Sequence, residues 1–181
     1  VPLALVDAPS RDNRNILMLE PRRLAARSAA RYMAKQLGEA PGQTVGYRTR
    51  LDTKGSGSTR IEVVTEGILT RLIQNDPMLE DYAAVLFDEF HERSLQADLG
   101  LALVRESQQA LREYLRLLVM SATLDTAPIA RVLGDVPVIT SEGRAFPVEV
   151  AYRPLPRNGR VVDQVVAVVQ EALRDQTGSL L

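Results

Sequence analysis

The chain has 181 residues and a formal net charge of −1, from 22 basic and 23 acidic side chains. It has no cysteine, which excludes disulfides and thiolate metal sites. No run approaches the ~18 apolar residues of a membrane span and no signal peptide is visible, so the chain reads as a soluble cytoplasmic protein that makes no membrane contact. The near-neutral total hides an asymmetry. Residues 11–60 carry a net charge of +7 and residues 61–120 a net charge of −6. That division suggests one surface for polyanions and another for a cation-bridged ligand. Arginine outnumbers lysine 20 to 2, a bias that suits bidentate phosphate contacts and that a GC-rich genome would equally produce.

Strand and helix patterns alternate along the chain. Ile16–Leu19 is a short apolar strand ending at Glu20-Pro21. Residues 22–37 read as a helix with Leu24, Ala25, Ala29, Tyr32, Met33 and Leu37 on one side, closed by Gly38. Thr44–Arg50 and Arg60–Thr65 are strand candidates separated by a turn at Lys54-Gly55-Ser56-Gly57-Ser58. Glu66–Ile73 is a short helix. Ala83–Phe87 is an uninterrupted apolar strand, followed by a helix over 95–112 and a strand at Leu115–Met120. A helix near 126–133 and strands near 136–140 and 146–152 come next. Arg153–Gly159 is a linker by composition, Val161–Leu173 a helix, and Ser179–Leu181 the start of a strand. The alternation predicts an α/β fold with a parallel sheet covered by helices on both faces.

Asp88-Glu89-Phe90-His91 closes the apolar strand, and His91 is the only histidine. In α/β sheets ligands bind at the carboxyl ends of the strands, so two adjacent acids there suit Mg²⁺–nucleotide chemistry. A nucleotide-bound Mg²⁺ takes one or two carboxylates and keeps several waters, which gives Asp88 the metal role through water, with Glu89 beside it. Glu89 fits the residue that orients or deprotonates the attacking water. His91 is placed to sense the γ-phosphate and signal to a neighbouring strand; a solvated acidic turn is the plain alternative. Ser121-Ala122-Thr123 ends the next strand, where its hydroxyls are expected to reach the His91 imidazole; helix capping is the alternative.

Three other corners carry basic or backbone donors. Pro21, Arg22 and Arg23 follow the first strand, with proline expected in the first helical turn and both arginines on a phosphate. Arg23, Arg27, Arg31 and Lys35 form a stripe that reads mainly as a solvated face. Thr65, Glu66 and Gly67 form a strand-to-helix corner that a nucleic-acid backbone can approach closely, or an ordinary threonine cap. Gly46-Tyr47-Arg48 with Arg50 is a further basic strand in which Tyr47 can simply be core. Zinc-protease and serine-hydrolase patterns fail, because the first lacks its second histidine and Ser121 lies in no G-x-S-x-G elbow. Lys54–Thr59 is not a phosphate loop.

Taken in order, Leu19-Glu20-Pro21-Arg22-Arg23-Leu24-Ala25-Ala26, Thr65-Glu66-Gly67-Ile68-Leu69, Asp88–Ser94 and Ser121-Ala122-Thr123 resemble the first lobe of superfamily 2 helicases of the DEAH/RHA type. Asp-Glu-Phe-His-Glu-Arg-Ser, with phenylalanine where most relatives have alanine, is most similar to the bacterial HrpB-type ATP-dependent helicases. The resemblance implies a RecA-like P-loop NTPase lobe over 1–152 that lacks its first strand and P-loop, a linker over 153–160, and the beginning of a second RecA-like lobe over 161–181. It implies ATP and Mg²⁺ as cofactors and single-stranded RNA or DNA as partner, held through the phosphate backbone. Pro21, Arg22, Arg23, Arg48, Thr65, Glu66 and Gly67 then serve nucleic-acid binding. Asp88, Glu89 and His91 serve catalysis, and Ser121, Ala122 and Thr123 coupling. No Walker A loop is present, so the chain alone is expected to be inactive. A RecA-like module that binds nucleic acid or protein without hydrolysis is the alternative, and a nuclease-coupled or DNA-only motor a third.

Overall fold

A computed structural model describes residues 1–8, 12–122, 127–141, 143, 147–154, 160–175 and 177. The chain divides into two compact units, Val1–Val138 and Ile139–Leu181.

The first unit is built on a six-stranded sheet. In chain order its elements are α1 (Pro2–Leu5), β1 (Asn15–Glu20), α2 (Arg23–Gln36), β2 (Val45–Arg48), β3 (Thr53–Lys54), β4 (Ile61–Thr65), α3 (Glu66–Asn75), β5 (Tyr82–Phe87), a 3₁₀ turn (Phe90–Glu92), α4 (Leu95–Ala110), β6 (Arg116–Val119) and α5 (Ala127–Val132). Across the sheet the strands run β3-β2-β4-β1-β5-β6. All neighbours are parallel except β2 and β3, so the Lys54–Ser58 turn is preceded by a two-residue antiparallel edge.

Period-2 alternation explains the two cores. Leu17, Leu19, Val85 and Phe87 face one side, under Leu69 and Ile73 of α3 and Leu101 and Val104 of α4. Ile16, Met18, Ala84 and Leu86 face the other, under Ala26, Ala30, Met33 and Ala34 of α2. Both faces of the central strands are therefore covered, which is why β5 reads as unbroken apolar sequence.

The buried stripe of α2 differs from the expected one. Leu24 is 76% and Tyr32 64% exposed, whereas Ala26, Ala30 and Ala34 are fully buried. Alanines spaced by four residues let the helix backbone lie close to the sheet, and the larger side chains flank that contact. Pro21 is likewise outside the first helical turn. Extended Arg22 is the cap and the helix begins at Arg23.

The expected strands near 136–140 and 146–152 are absent among the described residues. Ile139 and Val148 are exposed, and alternating apolar sequence makes a strand only where an edge accepts its hydrogen bonds. The second unit contains α6 (Val161–Asp175), with Arg153 Nη2 2.8 Å from Glu171 Oε1. The strand expected at 179–181 lies outside the described residues.

Gly46 on β2 marks a tight backbone approach. A Cβ built there would stand 2.5 Å from the Lys54 carbonyl oxygen on β3, closer than any carbon tolerates. Gly46→Ala is expected to destabilise the chain by about 1–3 kcal/mol through overpacking. A urea midpoint equal to that of the parent would show that β3 is not held against β2.

Candidate functional site at the carboxyl edge of the sheet

Because β1, β4, β5 and β6 run parallel, their carboxyl ends gather Glu20, Thr65, Asp88 and Met120 along one edge. The order of strands changes direction around β1, and such a crevice is where open α/β sheets take ligands. A cavity of about 190 Å³ opens there, lined by residues that include Pro21, Arg22, Glu66, Asp88, Glu89 and Glu92.

The acidic motif leaves β5 through a tight turn. The Asp88 N–H donates to the Leu19 carbonyl at 3.0 Å, which fixes the motif to β1. Asp88 Oδ1 accepts the Glu89 N–H at 2.9 Å. Glu89 then adopts a left-handed conformation, with φ 48° and ψ 35°, and Arg93 beyond the 3₁₀ turn has φ 47°. Positive φ at a non-glycine residue is held only where its surroundings enforce it. The anchor is Phe90. It is buried, its ring meets Phe87 edge-on at 6.0 Å, and Arg93 lies over its face at 5.5 Å.

This turn aims His91 back at the catalytic candidates. His91 Nδ1 accepts the Ala122 N–H at 3.3 Å, so the imidazole proton belongs on Nε2, which lies 3.3 Å from Glu89 Oε2. The expected contact between the two strand ends is therefore present, and the Ala122 N–H takes part in it. Thr123 lies outside the described residues. The Met120 carbonyl also accepts the Phe90 N–H at 3.1 Å, so β6 grips the turn twice.

Two strand-to-helix corners face the same cavity. Arg22 Nη2 lies 3.0 Å from Glu92 Oε2, and Arg23 is exposed at the start of α2. Thr65 caps α3 by backbone position only, with no side-chain capping bond, so its hydroxyl is not used as an ordinary cap would use it. A Cβ on Gly67 would meet nothing within 4 Å, so the start of α3 stands open. Glu66 Oε1 accepts the Ser94 hydroxyl, and the same hydroxyl accepts the Ala97 N–H and caps α4. Arg48, an expected nucleic-acid contact, has a carboxylate partner within the sheet. Its guanidinium binds Glu62 of β4, which also accepts the Tyr82 hydroxyl. Tyr47 is core, its hydroxyl donating to Asp52 at 2.8 Å. Within the basic stripe of α2, Arg27 pairs with Asp52 at 2.9 Å, while Arg23, Arg31 and Lys35 are exposed.

Three residues absent from the sequence-level candidates belong to the site: Glu20, Glu92 and Ser94. Glu20 is only 4% exposed. Burial, followed by the charge of Asp88, a hydrogen bond to it and the charges of Glu89 and Glu92, raises its carboxyl to about 7. The one available signal was an acid ending an apolar strand directly before proline. Glu92 and Ser94 are visible in sequence only as residues that continue the acidic motif.

The donor set fits Mg²⁺ bound with nucleotide phosphates. Among the described residues no group of three or more His, Asp or Glu is arranged to hold a metal by itself. Asp88 and Glu89 at an open cavity instead suit a cation that keeps its waters and shares phosphate oxygens.

No family model matches the chain. It is 54% identical, over all 181 residues, to the ATP-dependent RNA helicase HrpB of Escherichia coli K12. It is 36% identical over 167 residues to HrpA of the same organism, an ATP-dependent RNA helicase by name. The crystal structure of the Escherichia coli DEAH/RHA helicase HrpB superposes with a TM-score of 0.89 at 53% identity over 98% of the chain. Over its whole length the chain is similar to part of a DEAH/RHA-type helicase. The RecA-like α/β fold that the DEAH/RHA resemblance implied is the one observed. The chain spans 22% of the length of HrpB and 13% of that of HrpA.

Proposed function

We propose that this segment belongs to an ATP-dependent motor that moves along a single strand of nucleic acid, with RNA favoured by the names of its relatives. The observation that carries the reading is the chain of contacts Glu89–His91–Ala122 beside Asp88 at the sheet's carboxyl edge. Residues 1–152 act as the first RecA-like lobe, 153–160 as linker, and 161–181 open the second lobe. Asp88 positions Mg²⁺ through its waters and Glu89 orients and deprotonates the attacking water. The cation, when bound with ATP, neutralises charge that develops on the transferred phosphoryl group. His91, held by its Nδ1, reports the state of Glu89 to the end of β6. Arg22, Arg23, Thr65 and Gly67 hold the strand by its backbone. A glycine-rich Walker A loop with its lysine is not in the 181 residues, so the chain alone is expected not to turn over ATP.

The test is ATP hydrolysis by the whole natural protein with and without single-stranded RNA or DNA. Turnover absent under every nucleic acid would favour a binding module. Strand binding by the same protein is expected to weaken with salt, with a log–log slope of about −0.7 for each phosphate held. Arg22→Ala is expected to reduce that slope by about 0.7. A slope unchanged in a folded variant would remove Arg22 from the interface.

A further inference from the structure

Glu92 and Ser94 sit at the end of the acidic motif, yet their partners belong to the two strand-binding corners. Glu92 pairs with Arg22 at 3.0 Å, and the Ser94 hydroxyl donates to Glu66. The turn between them and Glu89 is three residues long and bracketed by left-handed residues, which leaves little slack for one end to move without the other. The pair itself is weakly held: the Arg22 side chain is 72% exposed and that of Glu92 34%. An exposed ion pair of this kind is easily exchanged for a better anion. A phosphate approaching Arg22 also meets the Glu92 carboxylate, which repels it until the pair opens.

We infer that Glu92 is a positioning residue that competes with the nucleic-acid phosphate for Arg22, so that strand binding frees Glu92 and shifts the turn that carries Glu89. The inference rests on the motor reading above. It assigns the link between strand and nucleotide within this lobe to one ion pair whose partner is exchanged.

The whole natural protein is compared with Glu92→Gln, Arg22→Ala and the double variant, using a fluorescent single-stranded oligoribonucleotide and a salt series. Glu92→Gln is expected to tighten binding about two- to five-fold, the range of an exposed pair. Its log–log salt slope is expected to stay that of the parent, because Arg22 holds the same phosphate in both bound states and only the competition for it is removed. The gain is expected to vanish in the Arg22→Ala background, as coupled residues require. The ratio of strand-stimulated to basal ATP turnover is expected to fall, because the released state of the turn no longer depends on the strand. Weaker binding by Glu92→Gln, a gain that persists without Arg22, or an unchanged stimulation ratio would each overturn the inference. A parent protein that binds no strand would overturn the motor reading as well, which separates the two failures.

Discussion

Glu89→Gln in the whole natural protein is expected to lower strand-stimulated ATP turnover by about 10²–10⁴-fold, the usual loss when a general base is removed. Glutamine keeps the size of the side chain and an oxygen that can accept the His91 Nε2–H. The contact at 3.3 Å and the left-handed turn at residue 89 can therefore survive. What disappears is the carboxylate's capacity to take a proton from water. The expected signature is a fall in kcat with little change in the affinity for a non-hydrolysable ATP analogue. Residual turnover within a few-fold of the parent would remove Glu89 from the chemistry and favour a RecA-like module without hydrolysis.

Glu20→Gln is expected to stabilise the chain at pH 8 and to leave it unchanged below pH 4.5. The folded-state value of Glu20 is raised from 4.5 to about 7, chiefly by burial and then by Asp88. Folding therefore favours the protonated carboxyl. Its contribution to stability is fully present below about pH 4.5 and is lost as pH rises through about 7. The full shift corresponds to on the order of 3 kcal/mol. A glutamine amide remains neutral at every pH and still donates to Asp88, so the variant avoids that loss. Urea denaturation in metal-free buffer, at half-unit steps from pH 4 to 8, checks the sign. A parent and variant that lose stability in parallel above pH 5 would show that Glu20 is already ionised when folded.

Both predictions concern residues on one edge, but only one of them was legible beforehand. Asp88 and Glu89 announced themselves because two acids directly ended a run of apolar residues, and a strand buried on both faces places its last residues at the ligand edge. Glu20 ends β1 in the same manner, yet a single acid there is also compatible with a solvated turn. What makes it part of the site is β5, brought alongside β1 so that the carboxyls of Glu20 and Asp88 meet.

The helical side of the fold divides similarly. Periodicity located α2 to within one residue at each end, but it placed the buried stripe only in part, with Met33 in the core and Leu24 and Tyr32 outside it. Large apolar residues at 24 and 32 dominate any sum of hydrophobicity, whereas the sheet accepted the small alanines at 26, 30 and 34. Arg48 reads as a basic residue on a short strand. Glu62, fourteen residues later and on the neighbouring strand, gives it a carboxylate partner. The hydroxyls of the Ser121-Ala122-Thr123 run are its visible chemistry, whereas the Ala122 N–H that reaches His91 is a backbone donor that residue types do not announce.

By itself, then, the sequence determined the alternation of strands and helices, the burial of β1 and β5, and the order of the motifs, because each depends on neighbours within a few residues. The tertiary structure decided the pairing of strands, the buried stripe of α2, the approach of Glu20 to Asp88, and the bridges from Glu92 to Arg22 and from Ser94 to Glu66. Each of these joins residues many positions apart. Their approach is set by sheet register and by which side chains pack without a gap, and neither is written in any local stretch of sequence.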